Sequence, residues 1–245
     1  MKMENININS PLKKQSKEKL VIVGVSTTAI QVFDFIKFYD LYEVIGFAVN
    51  SAYKKDVEFQ GLPVYALETL REDCPDCDYK LFVAVQWNHL NRDRRILYEY
   101  CKTHGFDMAN IISPTAIVRC PINTDNLYID DNVVIMNGVE LGNDCYFKAS
   151  SICGPNVKIS DHCFLGVKSM IGGGSSIGEQ RFVGLNATIF DCTEIGKKCL
   201  IGACAVVKRN MPDFSKCATS SSDMVIKQYG ENEIEEKLVA SKNVR

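Results

Sequence analysis

The sequence lacks an excess of either charge: 28 Lys and Arg stand against 30 Asp and Glu, a formal net charge of -2. That balance argues against the electropositive stripe on which sequence-independent nucleic-acid binding depends. It also lacks an apolar run long enough to span a bilayer. The first twenty residues, MKMENININSPLKKQSKEKL, carry five Lys but no apolar segment of signal-peptide length. They read as a polar leader on a cytoplasmic protein. A disulfide framework is not indicated, because the 11 cysteines are odd in number and seven of them crowd between residues 145 and 217. Cys74 and Cys77 form a lone CPDC with no further ligand pair at zinc spacing, so it reads as a surface turn and no metal is expected. What is present is 245 residues, 46% of them apolar, enough for two domains of ordinary size.

In the first half, short aliphatic runs alternate with helical patterns. Leu20 to Gly24 (LVIVG) reads as a strand ended by glycine, and Ala29 to Phe38 places Ile30, Phe33 and Ile36 at helical spacing. Glu43 to Val49 (EVIGFAV) and Lys80 to Val85 (KLFVAV) read as further strands. Leu90 to His104 reads as a charged helix carrying Ile96, Leu97 and Tyr100. Such alternation predicts a parallel sheet whose ligand crevice lies beyond the carboxyl ends of its strands. The loop Gly24-Val25-Ser26-Thr27-Thr28 falls where such a sheet binds phosphate on a helix N-terminus. It is equally a tight turn in which Ser26 or Thr27 caps the helix. The loop is not GxGxxG, and the second strand ends in Asn50-Ser51 where a dinucleotide fold places an acid. Both departures disfavour NAD.

The second half has a period of six. From Ile129, every sixth residue to Val207 is apolar: Ile129, Ile135, Leu141, Phe147, Cys153, Ile159, Leu165, Ile171, Ile177, Val183, Ile189, Ile195, Ile201 and Val207. Chance would produce that run about once in ten thousand. Four residues after these positions, from Val133 to Ala205, comes a small or β-branched residue in nearly every turn, with Arg181 the misfit. Glycine often follows the apolar position, as at Gly142, Gly166 and Gly184, where a corner or a close backbone approach disfavours a side chain. A six-residue period fits a triangular solenoid with three short strands per coil. Cys145, Cys163 and Cys199 then take small interior positions and Cys153 a large one.

The GVSTTA loop, the segment LFVAVQWNHLNRDRRILYEY, the hinge IISPTAIV, and the repeats VKISDHCFLG, RFVGLNATI and IGACAVVKRN together resemble the hexapeptide-repeat sugar acyltransferases. That family includes sialic acid O-acetyltransferases and nucleotide-amino-sugar N-acetyltransferases. The resemblance covers about residues 19–228. It implies an α/β Rossmann-like N-terminal domain followed by a C-terminal left-handed parallel β-helix. The divisions would be a leader at 1–18, a nucleotide-sugar-binding domain at 19–112, the β-helix at 113–228 and a tail at 229–245. It further implies a homotrimer with acetyl-CoA or another acyl-CoA as cosubstrate between adjacent subunits.

Residue by residue, the resemblance carries nucleotide-sugar binding to Gly24, Ser26, Thr27, Asn50, Gln86 and Asn88, with Arg92 or Arg94 available for phosphate. Trp87 is placed either to stack on a base or to pack within its own domain. The family's histidine base falls on Pro155, and a second histidine found in some relatives falls on Lys168. His162, preceded by Asp161, is the nearest substitute as a catalytic group; a solvated turn residue is its other reading. CoA contacts fall near Gly173, Gly184, Gly202 and Ala203, and Lys208 and Arg209 suit its phosphates.

Thioester acyl transfer needs a positioned nucleophile, a route for its proton and donors for the oxyanion. An amine can attack from its neutral fraction without a histidine, whereas a hydroxyl has no such option. The missing histidines therefore favour N-acylation of an amino sugar. The competing expectations are O-acylation through His162 and a catalytically silent binding or scaffold homologue.

Overall fold

The computed structural model describes residues 17–76 and 78–219. Most of the expected leader, the tail at 229–245, the last part of the repeat segment at 220–228 and Cys77 of the CPDC motif lie outside the described residues.

The N-terminal part is built on the expected aliphatic runs. Strands β1 (Lys19–Val23), β2 (Glu43–Val49), β3 (Glu58–Phe59), β4 (Leu62–Ala66) and β5 (Lys80–Val83) form one sheet in the order β3-β4-β2-β1-β5. All pairings are parallel except the β3–β4 hairpin, which the sequence reading missed. Helix α1 (Thr27–Tyr39) buries Thr28, Ala29, Val32 and Ile36. A one-turn helix α2 (Leu70–Asp73) follows β4, and α3 (Arg92–Thr103) follows β5. Two readings are corrected here. Helix α3 buries Arg94, Tyr98 and Cys101, with Leu97 and Tyr100 packed partly buried against the same apolar cluster, while Ile96 is 52% exposed and takes no part in it. Cys74 is not on a surface turn but is buried in the core at the end of α2.

From Ile111 the described residues wind into seventeen two-residue strands, all paired in parallel. They stack into three sheets with an 18-residue repeat, fitting the left-handed β-helix expected from the sequence. Within each strand the second residue points inward and the first outward, as strand alternation requires. Thirteen of the fourteen six-spaced apolar residues are buried, and Leu141 packs partly exposed against the same core. Cys145, Cys153, Cys163 and Cys199 are interior as expected. Burial pushes the Cys153 thiol up to about 12.

The corners have two different backbone requirements. From Ile129 to Ile201 the residue three positions after each six-spaced apolar side chain has a positive φ, for example Asp144 (52°), His162 (60°) and Gln180 (56°). The glycine directly after the apolar residue has instead run out of room: a Cβ on Gly184 would lie 2.5 Å from the Ala203 nitrogen of the next coil. Coil-to-coil closeness, not left-handed backbone, therefore selects glycine there.

The outward residues give the three faces different characters. One carries Tyr128, Tyr146, Phe164 and Phe182 and is covered by the N-terminal sheet and α1, forming a single continuous core with them. Another carries Glu140, Lys158, Ser176 and Glu194. The last presents Ile117, Val134, Ile152, Met170, Thr188 and Val206, with Ile117, Met170 and Val206 each nearly half exposed.

Candidate functional site

The carboxyl ends of β1, β2 and β5 meet the aromatic face of the β-helix, and the candidate site is built around that junction. Gly24 has φ 127° and donates its N–H to the Ala48 carbonyl at 2.8 Å. A Cβ there would lie 2.8 Å from the Ala84 oxygen, so only glycine lets β1, β2 and β5 end together. Ser26 occupies the N-cap position of α1 but makes no side-chain capping bond. Its hydroxyl and that of exposed Thr27 therefore lie at the positive end of a thirteen-residue helix. A small cleft beside them is lined by Thr28, Gln31, Gln86, Trp87, Tyr146 and Lys148, among others. Trp87 lines this cleft and is 44% exposed, and it does not pack within its own domain. It lies across the β-helix aromatics, with ring centroids 5.0 Å from Phe164 and 6.0 Å from Phe182. Asn88 is exposed beyond it.

Asn50 and Ser51 do not stand alone at the end of β2. Glu68, just after β4, accepts from the Ser51 N–H (2.9 Å), the Ser51 hydroxyl (2.7 Å) and Asn50 Nδ2 (3.3 Å). Partial burial raises the Glu68 carboxyl, but these hydrogen bonds outweigh it and hold the group below its ordinary range. The sequence reading missed Glu68. Its signal was the parallel pairing of β4 on β2, which sets Val49 against Ala66.

His162 is 5% exposed and faces α3. Its Nδ1 donates to Asp144 Oδ2 at 2.8 Å, and the Tyr98 ring lies edge-on at 5.7 Å. Asp161 is not its partner: Asp161 Oδ1 accepts the Asn143 N–H at 2.7 Å in the turn. Asp144 is also held by Arg94 Nε (2.9 Å) and Asn126 Nδ2 (2.6 Å), so Arg94 is committed to a buried ion pair and not to a phosphate. Asn91 completes the junction by donating Nδ2 to the carbonyls of His162 (2.9 Å) and Arg181 (2.6 Å). Asn91 ends three successive left-handed residues, His89, Leu90 and Asn91, with φ of 52°, 54° and 64°. That conformation is costly for side-chain-bearing residues. Its hydrogen bonds to the β-helix hold the turn directly after Gln86–Asn88.

The other candidates lie at separate corners. Pro155 and Gly173 share one corner with Asp191, whose Oδ1 accepts the Gly173 N–H at 2.6 Å. Lys168, Gly184, Gly202 and Ala203 lie along another corner, and Lys168 is exposed. The Gly184 and Gly202 N–H groups are spent on the coil ladder, bonded to Ile201 (2.8 Å) and Cys217 (2.7 Å). Among the described residues the Ala203 N–H makes no such bond. Lys208 stands 5.8 Å over the Phe190 ring, next to Arg209. No group of three metal-ligating side chains occurs among the described residues, and no helix there is long and apolar enough to cross a membrane.

A family model described as the hexapeptide repeat of succinyl-transferase matches residues 174–209. No curated protein sequence matches the chain. Among solved structures, a point mutant of perosamine N-acetyltransferase from Caulobacter crescentus, in complex with CoA and GDP-perosamine, is 24% identical with a TM-score of 0.70. The match covers 82% of this chain and 97% of that one. PerB from Caulobacter crescentus, also with CoA and GDP-perosamine, is 28% identical over 80% of this chain and 91% of that one, with a TM-score of 0.51. The acetyltransferase domain of PglB from Neisseria gonorrhoeae FA1090, in complex with acetyl coenzyme A, is 19% identical. That match covers 82% of this chain and 96% of that one, with a TM-score of 0.64.

Proposed function

We propose that this hexapeptide-repeat protein, similar to the sugar acetyltransferases just described, is an acyl-CoA-dependent acyltransferase acting on the amino group of a nucleotide-linked amino sugar. The observation that carries the reading is the junction itself. A crevice at the carboxyl ends of parallel strands, with a glycine turn and an uncapped helix N-terminus, is fixed against the aromatic face of a hexapeptide β-helix. The likeness to proteins solved with CoA and GDP-perosamine supports the same assignment.

In this reading the chain before Ile111 forms a Rossmann-like nucleotide-sugar domain and the repeats from Ile111 form a left-handed β-helix. Gly24, Ser26 and Thr27 receive the diphosphate, and Asn50, Gln86 and Asn88 orient the nucleoside and sugar. Lys168 contacts a polar or anionic group of the acceptor. Acyl-CoA runs along the corners marked by Gly173, Gly184, Gly202 and Ala203. Gly184 and Gly202 act there by leaving room and Ala203 by offering an amide, with Lys208 and Arg209 on the phosphates. The aliphatic stripe of Ile117, Met170 and Val206 supports a homotrimer that buries it.

The acceptor amine attacks the thioester carbonyl from its neutral form while a backbone donor meets the oxyanion; the tetrahedral intermediate then collapses with cleavage of the C–S bond, and the departing CoA thiolate or solvent takes the proton that the amine sheds. The base position of the resemblance is Pro155, which can accept no proton. O-acylation through His162 and Asp161 is disfavoured, because His162 is buried against α3 and Asp161 is engaged in a turn. Incubation with acetyl-CoA and UDP-, GDP- and dTDP-linked amino sugars tests the proposal. Thiol release that depends on one of the sugars is expected; folded protein that releases none with any acceptor would leave the silent scaffold homologue as the better reading.

A further inference from the structure

The carboxylate that the second strand lacks is supplied from the neighbouring strand. Residues Asn50 and Ser51 offer only neutral groups at the end of β2, yet Glu68 reaches across from the end of β4 and is clamped by both of them. Strand spacing is about 4.8 Å, so a side chain rooted at β4 and drawn back to β2 stands one strand from the Gly24–Thr28 turn at the end of β1. In parallel nucleotide-binding sheets, the phosphate sits on the helix after the first strand and an acid at the end of the second accepts from the ribose hydroxyls. Glu68 occupies that acid's place by a different route through the chain.

We propose that Glu68 is the ribose-recognition residue of this site, and that the sugar is carried on a ribonucleoside diphosphate rather than on a 2′-deoxyribonucleoside diphosphate. This rests on the nucleotide-sugar reading above. A carboxylate has about four acceptor sites. Ser51 takes the Oε2 side with its N–H and hydroxyl, Oε1 takes the long bond from Asn50, and the Glu68 N–H also donates to the carboxylate, which leaves Oε1 the less engaged oxygen within the clamp. Oε1 is therefore the atom that accepts a hydroxyl of the ribose diol. The hydrogen bonds from Ser51 and Asn50 also favour the ionised form, which accepts and does not donate. A 2′-deoxyribose leaves that acceptor without its strongest donor, and a hydrogen bond to a charged group makes the difference measurable.

The experiment is calorimetric titration of the full chain with UDP, GDP, dUDP and dGDP, repeated on Glu68→Gln and Glu68→Ala. Glu68 is exposed, and circular dichroism and thermal midpoints verify that both variants fold. The expected result is that UDP or GDP binds about tenfold or more tightly than its deoxy counterpart. The ratio should shrink in Glu68→Gln and approach one in Glu68→Ala. A carboxylate that merely held the Asn50–Ser51 turn would weaken ribo- and deoxynucleotides alike and leave their ratio unchanged, which overturns the proposal. So does equal binding of the two sugars by the unaltered protein. If none of the four nucleotides binds the folded protein, the nucleotide-sugar reading itself fails, an outcome distinct from binding without discrimination.

Discussion

The guanidinium of Arg181 fills the space that a side chain on Gly178 would occupy: Nη2 lies 2.4 Å from where a Gly178 Cβ would be. Arg181 stands in the interior column that otherwise reads Cys145, Cys163 and Cys199, and it is fully buried. Nε donates to the Gly178 carbonyl at 3.0 Å, while Nη1 and Nη2 have no partner among the described residues. Burial lowers the guanidinium's proton affinity, against smaller opposing effects of Cys199, Cys163 and Asp213. A buried charge with two unmet donors is a stability cost. Arg181→Met, similar in length, is expected to raise the denaturation midpoint by the equivalent of about 1–4 kcal/mol. Gly178→Ala should lower it, and less so when combined with Arg181→Met. Denaturant unfolding of the three variants measures both effects; a lower midpoint for Arg181→Met would mean that the guanidinium has a favourable partner.

Asp144 is the hinge of the junction, with Arg94, Asn126 and His162 all bonded to its carboxylate. Both members of the Arg94–Asp144 pair are completely buried. Removing one leaves the other charged and unpaired, so Asp144→Ala should cost about 3–5 kcal/mol. Limited proteolysis would detect loosening of the N-terminal sheet from the β-helix, and a variant as resistant as the parent would contradict the hinge role.

His162 separates two chemistries. If the acceptor is an amine, His162→Ala should lower thermal stability, because an Asp144 bond and the Tyr98 edge contact are lost. Turnover per folded molecule should remain within a few-fold of the parent. If the acceptor is a hydroxyl, turnover should instead fall by about a hundredfold or more with CoA affinity unchanged. Steady-state kinetics with calorimetry on the same preparation distinguishes the outcomes.

Acid should weaken the contact between α1 and the first coil. Asp131 Oδ1 accepts from the Tyr39 hydroxyl (2.8 Å) and from the hydroxyls of Ser113 (2.5 Å) and Thr115 (3.2 Å). Desolvation raises its carboxyl, but these bonds prevail and hold it below the ordinary 3.8. A depressed carboxyl stabilises the folded state above its unfolded value and loses that contribution as pH falls through the folded value. The thermal midpoint of the parent should therefore drop more steeply below about pH 4 than that of Asp131→Asn, whose midpoint is already lower at pH 7.

The exposed aliphatic face predicts assembly. Met170→Glu combined with Val206→Glu places charge at two of its outward positions and should give monomers by light scattering, with the β-helix spectrum retained. Unchanged mass would mean that this face is not a contact between copies of the chain.

The six-residue period was legible because an interior position in a solenoid recurs locally. Each coil repeats the same inward step, so Ile129 through Val207 announce the core without reference to anything distant. The parallel sheet was legible for the same reason, its strands being short continuous apolar runs. Arg181 stood out as a misfit, but its accommodation over Gly178 depends on how one coil sits on the next. The Glu68 clamp, the Asp144–His162 contact and the Asn91 bridge all join residues 17 to 90 positions apart. They also depend on which corner meets α3 and which strand end lies beside β2. Local periodicity determined what is buried in each coil; only the packing of the two parts decided which polar groups meet at the crevice, because those contacts are made across the fold by residues that no repeat relates.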